Sequence, residues 1–250
     1  MARIELKHCV VRMKDGLSGT GAINEPTTAP VETDTTFDID TLVLNTTVTD
    51  LVPVGARFTI DGETDATQVH IVTGRTPTDA GPTTNIVFTP ALGAGTYVDG
   101  GVVTFINQQI DIKIGDGNIT YTENTNYDYD LDRGVLDTVR EGDQAPMDVN
   151  LDFIYEYITT GTGESITPMD AVKRKGGAAE WVNAAADPCE PYAVDIEVVY
   201  TPPCGGAETE TTVFPDFRPD SKEVDLGEAN VSVSGRCNAL EPIVTRAAQA

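Results

Sequence analysis

The chain has 250 residues and a formal net charge of −24, from 40 acidic and 16 basic side chains. Duplex DNA carries one negative charge per roughly 1.7 Å of its axis, so we expect such an acidic surface not to bind nucleic acid specifically. No run approaches the roughly 20 apolar residues of a membrane helix, and the N-terminus has no apolar signal region. We therefore expect synthesis in a reducing cytoplasm and no membrane partner.

Strands separated by turns are expected along most of the chain, because 23 glycines and 15 prolines interrupt segments rich in Thr and Val. The first predicted strand is Arg3 to Met13, with Leu6 and Val10 on its apolar face. Gly19-Thr20-Gly21 follows, without the third glycine of a dinucleotide fingerprint. We predict a flexible loop over the whole segment from Lys14 to Pro26.

The composition changes between Glu25 and Phe105, where Arg57 and Arg75 are the basic residues and Thr, Asp, Val and Pro predominate. Five short β runs bounded by Pro, Gly or Asp follow one another: TTFDIDTLVL, ARFTIDG, TQVHIVTG, TNIVFTP and GGVVTFI. Their spacing is typical of a small antiparallel barrel or sandwich. We predict an inserted all-β domain at residues 25–105 within a main domain of residues 1–24 and 106–250, since a loop tip tolerates insertions.

Polar and apolar side chains alternate from Gln108 to Tyr157 with the period of two that strands show. In three stretches the polar positions are Asp111 and Lys113; Asp128 and Asp130; and Asn150, Asp152 and Glu156. We predict strands with one buried apolar face and one polar face. Solubility is one explanation for the acid on the polar face.

One helix is predicted after these strands. Thr167 is a candidate N-cap, Pro168 suits the first helical position, and the basic run Lys173–Lys175 precedes Gly176. A second short helical turn is predicted to place Trp181 against the sheet. Strands then follow at Tyr192–Tyr200, TETTVFPDF and ANVSVSGRCN, before a polar, Ala-rich tail.

Catalytic and metal-binding patterns are weak. The two histidines, His8 and His70, lie inside predicted strands, so no hydrolytic triad stands out. Asp128, Asp130 and Asp132 lack the glycine and glutamate positions of a calcium loop, and no cysteine pair has the spacing of a zinc knuckle. We expect no enzyme activity, metal or cofactor.

Three stretches of the sequence resemble the major tail tube proteins of long-tailed, siphovirus-type bacteriophages. The stretches are IDIKIGDGNITYTENTNYDYDLDRGVLDTVREGDQAPMDVNLDFIYEY, SITPMDAVKRKGGAAEWVNAAADPCEPYAVDIEVVYTPPCGG and FPDFRPDSKEVDLGEANVSVSGRCNA. The resemblance implies two packed antiparallel sheets, a tail-tube β-sandwich or barrel, flanked by one α-helix. It also implies hexameric rings that stack into a hollow tube in the virion tail.

In that family the partners are other copies of the chain, the tape-measure protein, the tail terminator and the tail-tip proteins, and DNA passes through without specific binding. A negatively charged lumen would repel DNA phosphates during ejection. The candidate lumen-facing residues are Asp111, Lys113, Asp128, Asp130, Asn150, Asp152 and Glu156. The inserted domain is expected outside the tube, because about 80 residues per subunit would obstruct a lumen.

Two alternatives remain open at this point. One is a tail-tip or head-to-tail joining ring that uses the same fold. The other is a surface β protein that binds carbohydrate through Tyr97 or Trp181.

Overall fold

The computed structural model describes residues 6–25, 28–45, 52–77, 84–115, 117–155, 166–185, 189–203 and 208–248. It confirms a mostly β fold, with 53% of the described residues in strands and 5% in helices. The strands of the described residues are β1 (Cys9–Lys14), β2 (Gly19–Ile23), β3 (Thr36–Leu44), β4 (Arg57–Ile60), β5 (His70–Pro77), β6 (Thr84–Thr89), β7 (Val102–Ile106), β8 (Gln109–Ile112), β9 (Ile119–Thr122), β10 (Tyr127–Asp132), β11 (Val135–Glu141), β12 (Met147–Ile154), β13 (Val194–Tyr200), β14 (Glu208–Asp225), β15 (Asn230–Cys237) and β16 (Ile243–Ala248). The same residues contain one α-helix, α1 (Pro168–Lys173), and 3₁₀ turns at Leu6–His8 and Gly176–Ala178.

The chain forms two compact units. The sheet unit comprises Met1–Met13, Asp111–Tyr157 and Ala193–Ala250, and the barrel unit comprises Lys14–Ile110 and Ile158–Tyr192. The barrel unit thus contains the whole of residues 25–105. It also contains residues 14–24, residues 106–110 and α1.

The sheet unit is built on one long strand, β14, that takes part in two layers. Its first half pairs with β13 and β16, and its second half pairs with β15. Seven of the eight strands follow the order β8-β1-β13-β14-β15-β12-β9, and β16 pairs with β14 outside this order. Tyr121 of β9 contacts Phe214 of β14 at a ring-centroid distance of 5.2 Å, although those strands are not neighbours in the sheet. The two layers therefore face each other across a core.

Strict alternation along β12 supplies one wall of this core. Val149, Leu151 and Phe153 are buried, while the residues between them are partly or fully exposed. Their partners on β15, Gly235, Val233 and Val231, are buried as well. Directly opposite residues of an antiparallel pair share a face, so the apolar sets of both strands point into the same core.

The buried face of the first strand is not the one that was predicted. Val11 and Met13 are buried whereas Val10 is 40% exposed, so the apolar face of β1 is the one predicted to be polar. The 3₁₀ turn at Leu6–His8 precedes β1, and an alternation counted from Arg3 does not carry through such a turn. Residues 1–5 lie outside the described part of the chain.

The predicted C-terminal tail is wrong for Ile243–Ala248, which forms β16. This strand pairs with Glu208–Val213 of β14. Ile243, Val244 and Thr245 are β-branched and favour a strand. The Ala-rich composition of the residues beside them suggested a tail instead.

The barrel unit is a closed barrel of strand order β2-β3-β6-β5-β4-β7. Its interior is aromatic: Phe58 contacts Phe37, Phe88 and Phe105 at centroid distances of 5.4–6.0 Å. The five predicted β runs of this segment each contribute a strand. Closure removes the unpaired edges that an open sheet of this size would expose.

The flexible loop predicted from Lys14 to Pro26 is wrong for Gly19–Ile23, which form β2. This strand closes the barrel by pairing with both β3 and β7. A Cβ on Gly21 would lie 2.6 Å from the Ile39 side chain, so glycine is required there by a close approach rather than by a turn.

The predicted helix is confirmed as α1. The Thr167 hydroxyl accepts a hydrogen bond from the Asp170 backbone N–H, and the Asp170 carboxylate accepts one from the Thr167 N–H. This reciprocal capping box satisfies two N–H groups at the helix start. The helix ends at Arg174, in the left-handed region at φ 49°.

Candidate functional site

Of the candidate lumen residues, Asn150 and Asp152 lie together on the outer face of the layer that contains β12. This face is opposite the buried Leu151 and is otherwise polar: Asn150 pairs with Thr120 on β9 and with Ser234 on β15. Asp148, which was not among the predicted residues, shares the face. Its carboxylate lies 3.2 Å from Arg236 Nε and accepts a hydrogen bond from the Asn124 amide.

Asp111 lies apart from this pair, whereas Lys113 lies beside the end of β12, where its carbonyl accepts a hydrogen bond from the Ile154 N–H at 3.0 Å. Asp111 alternates with buried Ile112 on β8, so it points outward from the other layer of the unit. Its carboxylate is 2.9 Å from Arg12 Nε, and Arg12 Nη1 lies 3.9 Å from Glu197. The two acidic groups therefore share one guanidinium, which reduces the negative charge at this position.

Asp128 and Asp130 lie on neither layer but on a separate hairpin of β10 and β11. The strands pair from Tyr127 opposite Glu141 to Asp132 opposite Val135. Arg133 and Gly134 make the two-residue turn, both with positive φ, as a type I′ turn requires. Glu156 lies outside the described residues. The candidate set thus does not form one surface.

Each hairpin residue is exposed, which contradicts the predicted burial of the tyrosine face. The alternation itself is correct, because Tyr127, Tyr129 and Leu131 share a face with Val139 and Leu136 across the strand pair. These five side chains are 54–64% exposed. We call them the apolar stripe. The acidic Asp128, Asp130 and Asp132 lie on the other face, where Asp130 is 3.1 Å from Arg140.

An exposed stripe of this kind indicates an interaction surface. A two-stranded hairpin alone is marginally stable in water, and contiguous apolar surface on a soluble protein usually marks a site of association. The strand β11 was not predicted, although the Arg133-Gly134 turn followed by Val135, Leu136 and Val139 is a signal for it.

A buried polar network lies at one end of the barrel. His70 Nε2 is 3.0 Å from Glu63, and His70 Nδ1 is 2.8 Å from the Pro90 carbonyl. Glu63 also accepts from the Gly93 N–H at 2.7 Å and from the Tyr97 hydroxyl at 3.4 Å. Burial, followed by the charge of Glu63, raises the pKa of Tyr97 to about 12. None of the three side chains is accessible to a substrate, so the network is structural.

Asp15 is a second buried group, and it joins three segments of the barrel unit. Its carboxylate accepts hydrogen bonds from the N–H groups of Leu17, Gln108 and Val182 at 3.2, 2.6 and 3.1 Å. Burial nevertheless raises the pKa of Asp15 to about 7, against these donors, which lower it. Nothing in the sequence distinguishes this residue from the other aspartates.

Neither aromatic residue of the carbohydrate alternative is accessible. Tyr97 is 5% exposed and Trp181 is fully buried, so neither ring can stack on a sugar. That expectation is wrong for these residues.

No group of three His, Cys, Asp or Glu side chains among the described residues is arranged to hold a metal ion. Within the same part of the chain, none of the helical segments has the length and apolar character needed to cross a bilayer. Cys237 is buried, and Cys204 lies outside the described residues. No protein-family model, curated protein or solved structure matches the chain.

Proposed function

We propose that this chain is a structural virion protein that assembles into stacked hexameric rings, the tail tube of a long-tailed bacteriophage. The observation that carries the proposal is the apolar stripe of the β10–β11 hairpin, which is exposed in the single chain. A monomer gains no stability from five apolar side chains that are exposed on one face of a hairpin. An assembling subunit buries them against its neighbour.

Open strand edges support the same proposal. In the described residues, β8 and β9 end the strand order of the sheet unit, and each has one side without a strand partner. Such edges template pairing with another chain, and natural proteins usually block them. Neither β8 nor β9 contains proline, and β9 has no charged residue. Pairing between copies would close the edges into a continuous barrel around a ring.

The charge of the chain suits a conduit for DNA. With a net charge of −24 per subunit, the walls of a tube would repel phosphates and release few counterions. The polar face with Asp148, Asn150 and Asp152 is our candidate for the inner wall, and the barrel unit is assigned to the outside. The tape-measure protein would occupy the lumen, while terminator and tail-tip proteins would cap the ends.

Negative-stain electron microscopy of the purified chain tests the proposal. Long tubes of stacked sixfold rings are the expected result. Isolated closed rings would instead identify a tail-tip or head-to-tail joining ring. A chain that stays monomeric at high concentration, both alone and with the tape-measure protein, would refute both assembly functions.

A further inference from the structure

Asp15 and Gln108 form a closely linked pair inside the barrel unit. The Asp15 N–H donates to the Gln108 carbonyl at 3.0 Å, and the Gln108 N–H donates to Asp15 Oδ1 at 2.6 Å. Asp15 is 1% exposed and Gln108 is 2% exposed. These reciprocal contacts hold the two residues together, away from water.

The Gln108 carboxamide is not fully hydrogen-bonded. Neither Oε1 nor Nε2 has a hydrogen-bond partner of normal geometry in the structure. The side chain nevertheless lowers the pKa of Asp15, as a donor beside a carboxylate does, so its amide nitrogen faces that carboxylate. At the other end, a Cβ on Gly55 would lie 2.6 Å from Oε1. Buried polar groups are normally paired, so this amide needs an explanation.

The two charge states of Asp15 require different partners. An ionised carboxylate accepts hydrogen bonds, and the N–H groups of Leu17, Gln108 and Val182 supply them. A protonated carboxyl must also donate its O–H, and none of these N–H groups can accept it. Gln108 Oε1 is an acceptor without a donor. Burial raises the pKa of Asp15 to about 7, so both charge states are populated near neutral pH.

The neighbouring titratable and charged groups do not take over this role. Tyr192 is neutral near pH 7, because burial and then the charge of Asp15 raise its pKa, and its hydroxyl donates to the Ala171 carbonyl at 2.9 Å. The Arg174 guanidinium lies over the Tyr192 ring, 5.4 Å from its centre. Neither Arg174 nor Lys14, which precedes Asp15, is among the groups that shift the pKa of Asp15.

We propose that Asp15 and Gln108 form a proton-dependent switch, in which the Gln108 carboxamide turns over when Asp15 changes its charge state. With Asp15 ionised, Nε2 faces the carboxylate and Oε1 lies beside Gly55. When a proton from solvent binds Asp15, the new O–H donates to Oε1, and Nε2 takes the place beside Gly55. The two ends of a carboxamide have nearly the same size and its last torsion is broad, so the turn needs no repacking.

This switch lies in the wall of a groove on the barrel unit. Gln108 and Gly55 both line the groove, whose volume is about 940 Å³. The end of the carboxamide beside Gly55 is an acceptor above the transition and a donor below it. The polarity of this part of the wall therefore depends on pH, whether or not the chain assembles.

NMR spectroscopy of the whole chain tests the turn. A nuclear Overhauser effect from the Gln108 amide hydrogens to the Gly55 α-hydrogens should be strong at low pH and should be lost as the pH rises through about 7. Asp15→Asn removes the titrating group, so the effect should then be independent of pH. Gln109→Met is the matched control, because Gln109 is the next residue and also lines the groove, and it should leave the transition unchanged.

Infrared difference spectra across the same transition test the O–H contact. With isotope-labelled aspartate, the wild type should show the C=O band of a protonated, hydrogen-bonded Asp15 at low pH, and Asp15→Asn should lack it. Gln108→Met keeps the length of the side chain but offers no strong acceptor, so the band should move to higher frequency. Circular dichroism and thermal unfolding establish that each variant is folded.

Two results would overturn the switch. One is a protonated Asp15 band that keeps its frequency in Gln108→Met. The other is a Gln108 amide whose hydrogens stay equally far from Gly55 at every pH. The second measurement uses the wild type, so it decides the question even if a variant does not fold.

Discussion

The hairpin β10–β11 and the barrel contain strands with the same alternation of apolar and polar residues. The apolar residues are exposed in the hairpin but buried in the barrel. In β3 and β4, Phe37 and Phe58 alternate with polar residues and are buried in a closed core. In β10, Tyr127 and Tyr129 alternate with aspartates and remain more than half exposed. A period of two thus identifies a strand and its apolar face, but what covers that face depends on other elements. In the barrel the cover is in the same chain, and for the hairpin we propose that it is another copy.

Removing an aromatic ring from the barrel should have the largest effect on stability. Phe58 is fully buried and contacts three phenylalanine rings and His70. Phe58→Ala leaves a cavity and should lower the free energy of unfolding by about 3–5 kcal/mol. Urea denaturation of the monomeric chain measures this change in the free energy of unfolding. A loss below about 1 kcal/mol would show that the barrel interior is not the tightly packed core described above.

The pH dependence conferred by Asp15 should be the next largest effect. Its folded pKa of about 7 lies above the ordinary value of 3.8, so between these values the folded chain holds a proton that the unfolded chain releases. Asp15 therefore contributes stability that is complete at low pH and is lost as the pH rises through 7. Compared with Asp15→Asn, the wild type should lose on the order of 2–4 kcal/mol between pH 4 and pH 8.

Denaturation curves of both proteins across this pH range give the difference directly, because the other carboxylates are common to both chains. If stability changes with pH to the same extent in both proteins, burial and the three N–H donors have opposite effects of equal size on the pKa of Asp15. A wild type that gains stability over the variant as the pH rises would show that the donors dominate.

The buried Glu63–His70 pair should rank third. Glu63→Gln keeps the shape of the side chain and one acceptor oxygen, but it replaces the carboxylate that faces His70 Nε2 and the Gly93 N–H. We expect the free energy of unfolding to fall by about 1–3 kcal/mol. Glu180→Gln is a useful comparison, since that carboxylate is paired with Arg75 at a partly exposed position and its loss should cost less than about 1 kcal/mol. Equal losses would contradict the importance of burial.

The sequence predicted the fold well where local signals agreed. The barrel strands and α1 were recognisable because short β runs between turns, and Thr167, Pro168 and Gly176, act through local geometry. The strand at Gly19–Ile23 was not, since the contact of Gly21 with Ile39 joins residues distant in the chain. The phase of β1 was missed because the preceding 3₁₀ turn has no distinctive residues.

The candidate site was only partly predictable for a related reason. Alternation placed Asn150 and Asp152 correctly on a polar face, but it could not show that Asp111 belongs to another layer or that Asp128 belongs to a separate hairpin. Which strands pair is decided by tertiary contacts such as Tyr121 with Phe214, and those depend on the whole sheet. The Asp15 contacts likewise join residues as far apart as Asp15 and Val182.

The smallest effect on stability is expected at the hairpin, where the effect on assembly should be greatest. Tyr129 is 59% exposed, so Tyr129→Ala removes little buried surface and should change the free energy of unfolding by less than about 0.5 kcal/mol. If the apolar stripe is buried between copies, the same change should shift the concentration needed for assembly upward by about tenfold or more, because aromatic anchors dominate interfaces. Tyr155→Ala is the matched control, as Tyr155 is also exposed but follows β12 outside the hairpin. Light scattering against concentration measures both variants. A Tyr129→Ala chain that is destabilised as strongly as Phe58→Ala would mean that the stripe is covered within its own chain, and the contrast between hairpin and barrel would disappear.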